Sequence, residues 1–361
     1  MKIAIAGGGT GGHLFPALAV AETLLERGHE AIIFISEKEI DSLATKGRAE
    51  FKFEKLPSVG MPRPFSPAIF GFIKRFNESL KACKSIYQRF RPDAVLGMGG
   101  FTSTAPIMAG RKRKLPTFLH ESNAIPGKAN RWNAKMVTAV FLGFEDCTRH
   151  FSMSKCVVTG TPIRRSLGTT LSKAAAREEF RLDPNKTTIL VMGGSQGAEG
   201  INLAMLNALD LLKDIPIQII HLTGAAQEQI MTVNYRRAGV PAHVAAFCHQ
   251  MEMAYSASDL VISRSGAASL SELAHFSLTG ILIPYPHAAE NHQALNAEIF
   301  ERHGAAMVLP QEAANGEALA TMLRQLLENP RQLETMRERA KMLAPSDAAE
   351  RVVDTIESYL K

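Results

Sequence analysis

Two stretches decide the fold: KIAIAGGGTGGHLFPALAVAETLLER, residues 2–27, and TTILVMGGSQGAEGINLAMLNALDLL, residues 187–212. Each has the same grammar. A short apolar run (2–6, 187–192) predicts a buried strand, a glycine-rich turn follows (7–12, 193–198), and apolar residues then recur at helical spacing (13–27, 201–212). Each stretch opens a series of alternating strands and helices. In the first half, further strands are predicted near 31–36, 94–97, 116–119 and 137–141. In the second half they fall near 217–221, 243–247, 260–263 and 280–284. Such alternation specifies a parallel sheet with helices on both faces, so the chain reads as two doubly wound α/β domains in tandem. The length of 361 residues suits two domains. The linker is expected within 158–171, which holds Gly160, Pro162 and Gly168. Three helices are expected to close the chain, the last one after Pro345.

Composition removes several classes. With 46% hydrophobic and 21% charged residues, the chain is neither disordered, collagenous nor a coiled coil. No apolar run reaches the ~18 residues of a membrane span. The first residues carry glycines where a signal peptide needs its apolar stretch, so a cytoplasmic protein is expected. Four cysteines without CxxC spacing suggest neither disulfides nor zinc. The net charge of +6 is uneven: residues 1–164 hold 24 Lys and Arg against 13 Asp and Glu, and residues 165–361 hold 17 against 22. A basic first half points to an anionic partner.

Glycine at both turns lets backbone N–H groups and a helix start approach a phosphate. A Walker loop is excluded, because His13 stands where the Lys-Ser/Thr pair would be. Gly7, Gly9 and Gly12 satisfy GxGxxG, and Glu37 follows the second strand as a ribose ligand would, which keeps an NAD(P)-dependent oxidoreductase as the alternative. Its weakness is the second, equally good turn. Further polar clusters stand at strand ends: LGMGGF (96–101), LHESN (119–123), SRSGAASLSE (263–272) and PHAAENHQALNA (286–297). HExxH and D-x-D are both absent, so no metal is expected.

Over nearly its whole length the chain resembles the MurG family of N-acetylglucosaminyltransferases, which convert lipid I into lipid II in bacterial cell-wall synthesis. The resemblance rests on GGTGGHLFPALAVA (8–21), RPDAVLGMGGF (91–101), LHESN (119–123), GTPIR (160–164), GGSQGA (193–198), RSGAASLSE (264–272) and NHQALNA (291–297). It implies the GT-B fold, two Rossmann-like domains facing across a cleft: residues 1–163 with a returning C-terminal helix (345–361) on the acceptor side, and 164–344 for the donor. It also implies inverting transfer from UDP-N-acetylglucosamine to the C4 hydroxyl of lipid I.

Carried over by position, Ser195 and Arg164 would hold the diphosphate and the backbone at Cys248 would meet the uracil. Glu272, at the end of Ala267, Ala268, Ser269, Leu270 and Ser271, would accept the ribose hydroxyls. Gln293 and Asn123 would bind the sugar, and Thr10, Gly11, Gly12 and His13 would line the acceptor's pyrophosphate. His13 is the first candidate for the base, with a phosphate-donating role as its rival reading; Glu121 is the second candidate, and His120 reads as structural. The sequence departs from the family at Phe101, Ser122 and Thr161, which stand where Tyr, Gln and Asn are common.

The acceptor is lipid-borne, so a peripheral position on the cytoplasmic face of the inner membrane is expected. Cell-wall synthesis proteins are further expected partners, and nucleic acid is not one. Within 61–91 the stripe Ile69, Phe72, Phe76, Leu80, Cys83, Tyr87 and Phe90 reads as core. Phe65 and Phe70, with Ile73, are expected as an exposed apolar patch beside Lys74 and Arg75; residues 111–114 (RKRK) add a second basic cluster. A non-catalytic sugar-nucleotide or nucleic-acid binding protein is the third class.

Overall fold

The computed structural model describes residues 1–37, 48–57, 60, 62, 66–151, 156–168, 171–194 and 197–361. The chain divides into two compact units, Met1–Arg165 with Ser346–Lys361, and Ser166–Pro345. Among the described residues the first unit carries seven parallel strands: β1 (Lys2–Ala6), β2 (Glu30–Ser36), β3 (Lys52–Leu56), β4 (Ala94–Gly97), β5 (Thr117–Glu121), β6 (Ala139–Leu142) and β7 (Cys156–Val158). Their order is β3-β2-β1-β4-β5-β6-β7. The second unit carries β8 (Thr187–Met192), β9 (Ile217–Leu222), β10 (Ala242–Ala245), β11 (Leu260–Ser263), β12 (Gly280–Leu282) and β13 (Met307–Val308), in the order β10-β9-β8-β11-β12-β13.

Both sheets are doubly wound for one reason. Strands such as IAIA (3–6) and ILV (189–191) are wholly buried, so helices must cover both faces, and right-handed crossovers run outward in two directions from the first strand. The order reverses between β1 and β4 in one sheet and between β8 and β11 in the other. Crevices open at such points, outside the carboxyl ends of the strands. Both glycine turns leave the strands that border them.

Three strands escaped the sequence reading: β3, β7 and β13. All lie at or next to sheet edges, where KFEKL (52–56) alternates with polar residues and the other two are three and two residues long. The first helix starts at Gly11 rather than His13 and spans Gly11–Glu26. The helix after β8 spans Glu199–Ala208 and tightens into a 3-10 turn, Leu209–Leu211. The final helix, Ala348–Leu360, buries Val352, Val353 and Ile356 in the core of the first unit, among Ala21, Leu24 and Phe118. Arg27 pairs with Asp354 at 2.6 Å and His29 meets Glu357 at 3.0 Å, fixing its register. Among the described residues no helix is long and apolar enough to cross a membrane.

Candidate active site

In the first unit, Thr10 precedes the Gly11–Glu26 helix and its carbonyl accepts from the amides of His13 (3.1 Å) and Leu14 (3.0 Å). Its side chain makes no capping bond, so Thr10 leaves the amides of Gly11 and Gly12 uncapped at the positive end of the helix. Thr10 and Gly12 are exposed, and His13 is half-buried under the glycine turn that follows β4. Gly99 makes this approach feasible: its φ is +109°, and a Cβ there would lie 2.7 Å from His13 Cε1. The LGMGGF cluster therefore shapes the surroundings of the imidazole.

The LHESN loop behind it is closed by hydrogen bonds. His120 is fully buried, its Nε2 faces the Gly160 carbonyl at 2.9 Å, and its Nδ1 faces Ser122 Oγ at 3.3 Å. Burial pulls its pKa down to about 4, with nearby His13 acting in the same direction. Glu121 is 2% exposed. One carboxylate oxygen accepts from the Asn123 amide (2.9 Å) and Asn123 Nδ2 (3.0 Å). The other accepts from the Gly127 amide (3.2 Å) and Asn130 Nδ2 (2.8 Å). Burial pushes the carboxyl upward while these four donors oppose it. This geometry corrects the expectation of Glu121 as a base, because a carboxylate with both oxygens engaged inside the protein organises its loop. It also engages one of the two Asn123 Nδ2 hydrogens with Glu121.

Arg164 belongs to the first unit, not the second: its guanidinium lies 4.1 Å from the Phe15 ring centroid, on the helix of the first glycine turn. Phe101 packs edge-on against Phe72 at 6.1 Å, and Ser122 engages His120, so two of the departures from the family pattern have packed or bonded partners.

In the second unit a cavity of about 720 Å³ opens at the carboxyl ends of β8, β11 and β12. Gly193, Gly194, Gly197 and Gly200 line one side, with Arg264, Tyr285, Gln293 and Gln311 also in its wall. Ser195 lies outside the described residues. Arg264, at the end of β11, was not singled out in the sequence; a lone arginine closing the apolar run LVIS was the available signal. Its Nη1 donates to the carbonyls of Ile283 (2.9 Å) and Pro284 (3.1 Å), and its Nη2 donates to Gln311 Oε1 (2.5 Å). Tyr285 lies under it at 5.4 Å. Gln293 Oε1 accepts from the Tyr285 amide at 3.0 Å, which leaves its amide nitrogen to reach a ligand. The helix that carries Gln293 is entered through Glu290 and Asn291, both left-handed (φ 53° and 54°).

The Ala267–His275 helix begins after Gly266 without a side-chain cap, so its first amides are candidates for an anion. Ala267, Ala268 and Ser269 belong to that start. Leu270 does not: its side chain is 1% exposed and its amide bonds the Gly266 carbonyl at 2.9 Å, which corrects its inclusion among the binding residues. Ser271 is buried behind it. Glu272 is 8% exposed, and Tyr255 Oη donates to its Oε2 at 2.8 Å, holding the carboxylate in one orientation. Cys248 packs half-buried against the core around Tyr255, and burial raises its thiol pKa.

Glu37, the ribose ligand of the oxidoreductase alternative, is paired with Arg75 at 3.3 Å. Phe65 lies outside the described residues. Phe70 (77% exposed) and Ile73 (49%) do project from the Ala68–Phe90 helix. Of the expected stripe, Cys83 and Tyr87 are buried and Phe76, Leu80 and Phe90 pack half-buried against the same core, whereas Ile69 and Phe72 are only half-buried.

Residues 3–142 match the glycosyltransferase family 28 N-terminal domain, and residues 188–352 match the family 28 C-terminal domain. The chain is 37% identical over 357 residues to a UDP-N-acetylglucosamine–N-acetylmuramyl-(pentapeptide) pyrophosphoryl-undecaprenol N-acetylglucosamine transferase of Geobacter sulfurreducens, covering 98% of this chain and 97% of that one. A Bacillus subtilis transferase of the same description is 34% identical over 365 residues, with both chains fully covered. Among solved structures, Acinetobacter baumannii MurG superposes with a TM-score of 0.78 at 27% identity, over 99% of each chain. A Neisseria meningitidis UDP-GlcNAc 2-epimerase bound to UDP-GlcNAc shares the fold, with a TM-score of 0.74 at 16% identity, over 99% of this chain and 100% of that one. None of these relatives supports an oxidoreductase.

Proposed function

This chain belongs to glycosyltransferase family 28, and from that premise we propose how its residues carry the reaction of its relatives. It transfers N-acetylglucosamine from UDP-N-acetylglucosamine to the C4 hydroxyl of the N-acetylmuramyl unit of lipid I, giving lipid II. Full-length identity to transferases of this description carries the assignment.

The second unit takes the donor. The glycine-lined cavity and the uncapped start of the Ala267–His275 helix supply N–H donors for the diphosphate, and Arg264 adds positive charge at the cavity wall. Glu272, oriented by Tyr255, accepts from the ribose hydroxyls; the backbone at Cys248 meets the uracil; Gln293 bonds the sugar. In the displacement the anomeric C–O bond to UDP breaks as the acceptor oxygen bonds to that carbon, inverting α to β. Negative charge develops on the diphosphate, where fixed donors need little reorganisation. With no D-x-D pair in the sequence, this neutralisation is assigned to the protein.

The first unit takes the acceptor. Thr10, Gly11 and Gly12 bind the lipid pyrophosphate, and His13 removes the proton of the attacking hydroxyl. Glu121 and Asn123 shape the loop beside it. Phe70 and Ile73, flanked by exposed Lys74 and Arg75, dock on an anionic bilayer at its cytoplasmic face.

The test is transfer of labelled N-acetylglucosamine to a lipid I analogue, with and without chelator. Labelled lipid II in both samples is expected. No transfer under either condition overturns the reading, and transfer abolished by chelator alone overturns the metal-free part of it.

A further inference from the structure

A buried polar chain in the second unit ends beneath the glycine turn. His221, on β9, is fully buried, with Nδ1 2.9 Å from Tyr235 Oη and Nε2 3.0 Å from Asn202 Oδ1. Asn202 Nδ2 donates to the Thr223 carbonyl at 2.8 Å. That carbonyl only accepts, so it fixes the asparagine amide; Oδ1 then requires a proton on Nε2, and the bare Nδ1 takes the tyrosine hydroxyl proton. Every hydrogen bond therefore runs one way, from Tyr235 to Thr223. Burial lowers the histidine pKa to about 3, which keeps this neutral tautomer at physiological pH.

The Thr223 carbonyl is also where the glycine turn rests. Gly197 has φ +76°, and a Cβ there would lie 2.1 Å from Thr223 O and 2.8 Å from the Gly224 nitrogen. The amides of Thr223 and Gly224 are tied to the carbonyls of Ala245 and Ala246, both at 3.0 Å. Asn202 thus holds from one side the segment that β10 and its following loop hold from the other. The turn packed on that segment lines the 720 Å³ cavity through Gly193, Gly194 and Gly197.

We propose that Tyr235, His221 and Asn202 are positioning residues for donor binding, setting through the Thr223 carbonyl the height of the glycine turn against the UDP diphosphate. This rests on the proposed function, because the turn's ligand is the donor of that reaction. The experiment is calorimetric titration of UDP into the full-length protein and its Tyr235→Phe, His221→Phe and Asn202→Leu variants, followed by steady-state transfer kinetics.

Tyr235→Phe removes one hydroxyl and keeps the ring, so it preserves the test if a larger change prevents folding. Folded variants should bind UDP about five- to tenfold more weakly and show a donor KM raised to match, with the acceptor KM within about twofold of the wild-type value. A chain-wide packing defect would lower the melting temperature and leave that donor-specific split absent. Wild-type UDP affinity in folded variants overturns the positioning role alone. A wild-type protein that binds no UDP overturns the function reading and this inference together.

Discussion

His13, on the helix that follows β1, and Glu121, at the end of β5, lie in opposite surroundings. The imidazole sits half-buried at an exposed helix start, whereas the carboxylate lies inside its loop with four N–H donors on two oxygens. His13→Ala should therefore lower kcat about 10²- to 10⁴-fold while leaving donor affinity near its wild-type value. Near-normal turnover would remove the base assignment. Glu121→Gln turns an amide NH₂ toward two of those donors and should cost about 2–4 kcal/mol of stability, read as a fall in melting temperature. A thermally normal protein with turnover abolished would restore Glu121 as the base.

His120 carries a pH signature. Its ordinary pKa of 6.5 falls to about 4 in the native loop, so between these values the unfolded chain binds a proton that the folded chain refuses. Its stabilising contribution is complete above pH 6.5 and is lost as the pH falls toward 4, about 3 kcal/mol in all. Denaturation midpoints measured across that window should drop less steeply in His120→Gln than in the wild type. Equal slopes would refute the buried neutral imidazole.

Among the elements, the Ala68–Phe90 helix divides its labour along its length. Its C-terminal part packs Cys83, Ile86 and Tyr87 into the sheet, and Arg113 bonds the carbonyls of Lys84 and Tyr87. Its N-terminal part projects Phe70 and Ile73. Fourteen residues of helix, about 20 Å, separate Phe70 from Lys84, so residues 111–114 form a basic cluster apart from the apolar patch. The charges beside the patch are Lys74 and Arg75. The double variant Phe70→Ser, Ile73→Ser should reduce retention on anionic vesicles about tenfold or more while transfer to a short-chain, water-soluble acceptor is unchanged. Full retention would exclude the patch as the docking surface. Helical spacing identified the core stripe, but exposure at the helix start depends on what packs over it.

At the scale of the whole molecule, the first unit is completed by the end of the chain. Ile356 is fully buried among residues of the first sheet and its helices, more than 320 residues from Ala21 and Leu24 in sequence. Ile356→Ala should cost about 2–5 kcal/mol, measured as an earlier denaturant transition of that unit with the later one unmoved. An unmoved transition of the first unit would show that the helix contributes little to the core.

Residue order and spacing specify the doubly wound pattern, both glycine turns and the strand-to-helix segments that carry His13, Glu272 and Gln293. Apolar runs of fixed period and glycine spacing are local, so each window carries its own evidence. The tertiary structure alone decided that Glu121 faces inward, that Leu270 has no free amide, that Arg164 stacks on Phe15, and that Arg264 joins the cavity wall. It also decided the edge strands and the sheet that receives the last helix. These outcomes depend on hydrogen bonds and packing between segments distant in sequence, and no local period encodes which buried group finds which partner.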